Sequence, residues 1–466
     1  MSARRQSRLA LYALAAAAVA LALALAPRAA RADGAFPDSS QVLLPAGQPN
    51  RIILGTNFGV ISTDDGGATW EWACETPLLT MGQAYQLGVP GAGPPGRLLA
   101  SSLWGVVHSD DGACTWTDAS GDIGQTTVTD FFADVADPTR VLAIGVDPNQ
   151  ASGLPQLAFA SADGGTSFGA PTFTAPSDSG LLGIEVAASD PLTIYLAMYA
   201  TPEQPRLVRT RDGGTTWDTF DLQPALGTAF VRILAVDPND PLRIFLRVSG
   251  PSSDGVAVST DGGATVAATL TVSGGLSAFV RRANGTILAG GLAPDGSAFG
   301  YRSIDGGMTF AAWPNQPHLR ALAERDSLLY AAADNFADGF ALARSADEGA
   351  TWQPLLRYNQ VARVAPCVAA ACANTCRAEA QVGLWPASMC EGAGPAPDAA
   401  ADAAVDASST GSGSSGCACG AAAAVRTSVG CWSLLAMGWL AWWSRRRRPG
   451  LRCPGTSGRS RRASGR

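Results

Sequence analysis

The chain has 466 residues, 53 of them Gly and 30 Pro, and only 15% are charged; so many breakers among short apolar runs exclude a helical bundle. Between Asp33 and Pro366, 17 Arg stand against 34 Asp and Glu, a net −17 that the whole-chain value of −6 conceals. A surface this acidic repels a phosphate backbone and so excludes nucleic acid as a partner.

Residues 1–32 predict a secretory signal peptide: the basic leader "SARRQSR", the apolar "LALYALAAAAVALALALA", and "ARA" at Ala30 to Ala32 as a cleavage site. A membrane helix is the alternative. Cleavage starts the mature chain near Asp33.

Residues 33–365 repeat one phrase seven times. It reads "TDDGGATW" ending at Trp70, "SDDGACTW" at Trp116, "SADGGTSF" at Phe168, "TRDGGTTW" at Trp217, "STDGGATV" at Val266, "SIDGGMTF" at Phe310 and "SADEGATW" at Trp352. Its Asp residues are Asp65, Asp111, Asp163, Asp212, Asp261, Asp305 and Asp347, spaced 46, 52, 49, 49, 44 and 42 apart. A period of this length marks one supersecondary unit that cannot bury its apolar face alone. Each period holds four short strand-like runs, as in "FVRILAVDP", "LRIFLRVSG", "GVAVSTDGG" and "ATVAATLTV". Four short strands per unit predict an all-β, seven-bladed β-propeller of four-stranded antiparallel blades. The blades are expected at 40–78, 79–125, 126–176, 177–224, 225–275, 276–316 and 317–360. Ring closure is expected to use little strand exchange, with "DGAFPDSS" and "QVARVAP" as the segments able to add an edge strand.

The phrase falls between the third and fourth strands. Its glycines supply the positive φ of a tight turn. Its Asp accepts hydrogen bonds from the turn's own N–H groups, its Ser or Thr closes the same turn, and its terminal aromatic packs between sheets. S/T-x-D-x-G-x-T-W/F resembles the Asp-box (BNR) repeat of sialidases and related propellers. The resemblance implies that the seven Asp residues are structural and lie opposite the ligand-binding mouth. In size and box count the chain is similar to the photosystem II stability factor propellers.

Ligands are then expected on the face formed by links between strands two and three and between blades. Its candidates are Trp104, Tyr199, His318, Arg320 and Phe336, each with blade packing as the bland alternative. A sialidase would need an Arg triad, a Tyr–Glu pair and an acid Asp, and no such set can be named. "RII" at Arg51 to Ile53 lacks the Pro that such enzymes carry. The chain has room for one propeller, where the two-domain xyloglucanases use two. No metal or cofactor motif appears, so none is expected.

Residues 366–391 carry Cys367, Cys372, Cys376 and Cys390, expected to form two disulfides within a helical hairpin rather than a zinc site. Cys74 and Cys114, the two cysteines of the repeat region, are expected to pair. Residues 392–426 are a low-complexity spacer containing Cys417 and Cys419. Residues 427–444 are an apolar stretch long enough to span a bilayer, and 445–466 an Arg-rich tail expected on the cytoplasmic side. Spacer, paired Cys, apolar helix and Arg block together resemble the MYXO-CTERM sorting tail. The resemblance implies processing near Cys417 or Cys419 and delivery to the cell surface; a plain C-terminal anchor is the alternative.

The expected function is a secreted, surface-anchored, non-enzymatic module that binds an extracellular protein or glycan. A secreted glycoside hydrolase is the alternative.

Overall fold

The computed structural model describes residues 37–78, 85–90, 96–102, 104–124, 126–146, 155–202 and 204–391. The segment expected to be a signal peptide, the spacer with Cys417 and Cys419, the C-terminal apolar stretch, the Arg-rich segment after it and most of the expected mouth segment 147–156 lie outside the described residues.

The described chain is a seven-bladed propeller of four-stranded antiparallel sheets in simple meander order. Blade 4 is Ser179–Val186, Ile194–Ala200, Gln204–Thr210 and Asp218–Asp221. The first strands of the other blades are Ser39–Leu43, Leu87–Gly88, Thr127–Ala133, Phe230–Val236, Gly275–Arg281 and Leu319–Arg325. The first strands of blades 2 and 3, 3 and 4, 4 and 5, and 6 and 7 lie against one another, and that of blade 7 returns to that of blade 1. The meander puts links one-to-two and three-to-four on one face. Links two-to-three and blade-to-blade fall on the other, the mouth face.

Alternation along each strand buries both faces of a sheet. In blade 4, Leu196 and Met198 pack with Leu142 and Ile144 of blade 3, while Tyr195 packs with Val231 and Leu246 of blade 5. Each fully buried side chain of this size contributes about 2 kcal/mol. That is why the second strands read as unbroken apolar runs.

Polar links join the blades at both faces. Gln41 of blade 1 clamps Leu87 of blade 2 through N–H to Oε1 (2.7 Å) and Nε2 to carbonyl (3.2 Å). Gln86 does the same to Phe131 of blade 3, at 3.1 and 2.9 Å. On the opposite face Arg140, Arg209, Arg243 and Arg325 each donate to a backbone carbonyl of the next blade: Pro191, Gly262, Gly306 and Arg51. The guanidinium of Arg282, 4% exposed, bonds Glu324, Glu348 and the Ser327 carbonyl of blade 7.

Two blades depart from the simple pattern. The first strand of blade 2 is only two residues long. In blade 3, Ser167–Phe168 first pairs in parallel with Ser120–Gly121 of blade 2, and the true fourth strand follows at Phe173–Thr174. Gly121 has φ 89° and backs directly onto the Phe168 carbonyl, so no side chain fits there.

Ring closure departs from the expectation of little exchange. After blade 7 the chain crosses to blade 1, where Arg363–Val364 pairs in parallel with Glu71–Trp72 as a fifth strand. "QVARVAP" supplies it. "DGAFPDSS" contributes the start of blade 1's own first strand at Ser39.

The cysteine pairing is also corrected. Cys74 bonds Cys372, Cys114 bonds Cys367, and only Cys376–Cys390 lies within the C-terminal cluster. The reason is the fifth strand. It lays the cysteine segment along the outer edge of blade 1, bringing Cys372 and Cys367 to Cα–Cα distances of 5.6 Å from their partners. The segment is one helix, Ala369–Gln381, with short 3-10 turns, not a hairpin of two helices. Nor does it stand by itself: Trp385 packs on Trp72 at 4.8 Å and on Phe58 at 5.9 Å between ring centroids. Among the described residues no helix is long and apolar enough to cross a membrane.

Non-reducing peptide mapping is expected to recover Cys74–Cys372 and Cys114–Cys367. The paired change Cys114→Ser and Cys367→Ser opens a 253-residue loop and is expected to cost about 2–5 kcal/mol in denaturant unfolding.

Candidate functional site

The seven repeated turns share one geometry. In blade 4, Asp212 Oδ1 accepts from the Thr210 hydroxyl (2.7 Å) and the Thr216 N–H (2.8 Å). Its Oδ2 accepts from the Thr216 hydroxyl (2.6 Å), and the Thr210 oxygen accepts from the Gly214 N–H (2.9 Å). Asp65, Asp111, Asp163, Asp261, Asp305 and Asp347 make the same two contacts through Oδ1 and Oδ2 to the Ser or Thr four residues on. The hydroxyl before the aromatic was not read as part of the device, although it is present in every copy. Both oxygens of each of these carboxylates are engaged within the turn itself. Only Trp70 and Phe168 of the terminal aromatics are fully buried.

The seventh copy carries Glu348 where the others have Gly, at φ 58°. Its carboxylate bonds Arg282 and Arg302 of blade 6, which accounts for a side chain in this left-handed position.

On the mouth face the structure brings three of the five sequence candidates together, at the seam between blades 7 and 1. Arg320 occupies the bulge of blade 7's first strand. Its Nε bonds Asp38 Oδ2 (2.6 Å) and its Nη2 bonds Asp334 Oδ2 (3.2 Å). Asp334 Oδ1 accepts from the Phe336 and Ala337 N–H groups, an Asx turn that presents the half-exposed Phe336 ring. Asp338 grips His318 twice, through the backbone N–H (2.9 Å) and ring Nδ1 (2.8 Å). In the neutral ring this carboxylate fixes the proton on Nδ1, and no described residue bonds Nε2. Below them Tyr358 OH meets Ser39 Oγ (2.7 Å), and the Phe336 ring lies edge-on to Tyr358. Burial pushes the Asp38 carboxyl up, against the hydrogen bond and charge of Arg320.

The other two candidates lie elsewhere on this face. Trp104, 54% exposed, sits in the tip of blade 2. Tyr199 stacks on Phe230 between blades 4 and 5, centroids 4.4 Å apart. Asp38, Asp334, Asp338 and Tyr358 were missed as site residues. Asp334 and Asp338 do flank Phe336 in "DNFADG", and that was the available signal. Among the described residues no group of three or more His, Cys, Asp or Glu could hold a metal ion.

No family model matches this chain, and no curated protein matches it in sequence. Several solved structures are similar over part of the chain. A lectin from Burkholderia pseudomallei, BP39L, is similar at TM-score 0.49 and 13% identity, over 69% of this chain and 99% of that one. An ancestral GH74 enzyme is similar at TM-score 0.37 and 12% identity, over 69% of this chain and 54% of that one. YCF48 from Cyanidioschyzon merolae is similar at TM-score 0.32 and 14% identity, over 49% of this chain and 70% of that one. The chain thus spans about half the length of the ancestral GH74 enzyme.

Two sets of carboxyls respond oppositely to pH. The hydroxyls of Thr216, Thr309 and Thr351, followed by the backbone N–H bonds, hold Asp212, Asp305 and Asp347 down at about 2. At Asp111, Asp163 and Asp261 burial pushes up, and the combined hydrogen bonds outweigh it. Such groups stabilise the fold above an unfolded value of 3.8, and this contribution is lost as pH falls towards 2. Between blades 3 and 4 the direction reverses. Burial pushes Asp130 up to about 6, and burial together with Asp130 and Asp134 pushes Glu185 well up. Their contribution is full below the unfolded value and is lost as pH rises through the folded one. Glu185→Gln is therefore expected to raise the melting temperature at pH 8 and change it little at pH 4. Asp212→Ala is expected to lower it by roughly 1–3 °C at pH 7 and by less at pH 2.5, both read by scanning calorimetry.

Proposed function

We propose that the chain is a secreted, surface-anchored, non-enzymatic binding module whose mouth engages an extracellular protein or glycan. The observation that carries this reading is the place of Arg320, bonded at once to Asp38 and Asp334. A glycosidase needs two carboxylates facing each other across room for substrate or water. At this seam a guanidinium holds both. The groups turned outward are the Phe336 ring and the His318 imidazole, which suit stacking and hydrogen bonding rather than proton transfer between opposed acids. Three disulfides fit an oxidising compartment and support export through the N-terminal segment. We further propose that the repeated turns are Asp boxes, and that a MYXO-CTERM-like tail anchors the module at the cell surface.

The raised Asp38 carboxyl favours a second reading, a hydrolase with Asp38 as its acid. One experiment separates the two: a glycan array and an extracellular-peptide array run beside hydrolysis assays on sialosides and β-glucans. The binding reading expects retention without turnover, weakened at least about tenfold by His318→Ala or Phe336→Ala. Turnover that Asp38→Asn abolishes would overturn it.

A further inference from the structure

The geometry points to a carbohydrate subsite between blades 4 and 5 that takes one neutral pyranose ring on the Tyr199–Phe230 stack. The assignment rests on the binding reading above and names a ligand class at a second place on the same face. Tyr199 lies near the end of blade 4's second strand and Phe230 begins blade 5's first, so both stand at the mouth rim. Their rings are 23° from parallel, and Phe230 is 46% exposed although it opens a strand. The result is a flat aromatic platform on water.

A cleft of about 230 Å³ adjoins it. Ala229 lines this cleft immediately before Phe230. Ser249, the register partner of Phe230, stands between the lining residues Val248 and Gly250. Phe230 thus follows directly in the chain on the lining residues of the cleft. Asp254, also among the lining residues, is 6% exposed. Its Oδ2 accepts from Arg247 Nε (3.1 Å), Arg247 Nη2 (2.5 Å) and the Leu276 N–H (2.8 Å). Its Oδ1 accepts from no described residue.

This pairing of chemistries matches a sugar ring. One face of a pyranose is a row of polarised C–H groups, which pack on the negative face of an aromatic ring. Its edge is a row of hydroxyls, each able to donate to a carboxylate oxygen and to exchange bonds with Thr228, Ser253 and Thr271. The volume is below that of drug-sized pockets and admits about one ring. No cation lines the cleft to receive a carboxylate, so the sugar is neutral.

Saturation-transfer NMR on the full-length chain tests this, with the methyl pyranosides of glucose, galactose, mannose and fucose, and N-acetylneuraminic acid as the anionic control. At least one neutral pyranoside should receive saturation, most strongly at ring C–H protons. Phe230→Ala should weaken it at least about tenfold, and Phe230→Trp should retain it. Ser253→Trp, which fills the cleft and leaves the platform, should abolish it. Phe336→Ala should leave it unchanged, which separates this subsite from the seam of blades 7 and 1. No transfer to any neutral pyranoside, transfer to the anionic control alone, or undiminished binding by Phe230→Ala at an unaltered melting temperature would overturn the assignment.

Discussion

A ring of sheets holds only if its last member grips its first. Here that junction combines polar, strand-pairing and covalent links. Arg320 ties blade 7 to Asp38, Tyr358 meets Ser39, and Arg325 donates to the carbonyls of Gln48 and Arg51. A fifth strand and two long-range disulfides then fasten the chain's return to blades 1 and 2. Without this junction each blade keeps its own turns, but the first strands lose the neighbours that bury them. The seam carries this polar chemistry because backbone groups at a sheet junction must find partners.

The same junction explains where the mouth is richest. A bulge in the first strand re-aims one residue towards the blade interface, and every blade except the second has one. In blade 4 that residue is Leu182, in blade 6 Ser277, which donates to the Leu319 carbonyl (2.6 Å). Only in blade 7 is it a cation. Arg320 needs anions, and Asp38 and Asp334 supply them, which in turn orders the loop that presents Phe336. Closure and ligand presentation are thus one network.

The fold was legible because its signal is redundant: seven copies of one turn, each bounded by four apolar runs, overdetermine a propeller. The turn itself was legible down to its Asp, because both carboxylate oxygens are satisfied within eight residues of chain. What could not be read was anything set by contacts distant in sequence. Cys74 and Cys114 look like partners when the repeat region is considered alone. Their true partners lie 298 and 253 residues away and are reached only because Arg363–Val364 crosses the seam. Phe336, His318 and Arg320 were visible as residue types, and the carboxylates that organise them were hidden among many other loop acids. Asp38 is the extreme case, lying 282 residues from the guanidinium it meets.

The two faces have diverged for a physical reason. On one, each turn must present an Asp, a hydroxyl on either side and, in six copies, a glycine at the first positive-φ position, because every bond closes within the turn. Where the seventh copy puts Glu348 at that position, the side chain gains Arg282 and Arg302. On the mouth face the links differ in length and sequence from blade to blade, and the bulges and clamps of the first strands lie behind them. At one register position blades 1 to 3 carry Gln41, Gln86 and Asp130 and blade 5 carries Arg232, while blades 4, 6 and 7 carry Gly183, Ala278 and Ala321. A scaffold built this way can alter its ligand by changing rim residues while its seven turns stay as they are, because the two faces share strands but not hydrogen bonds.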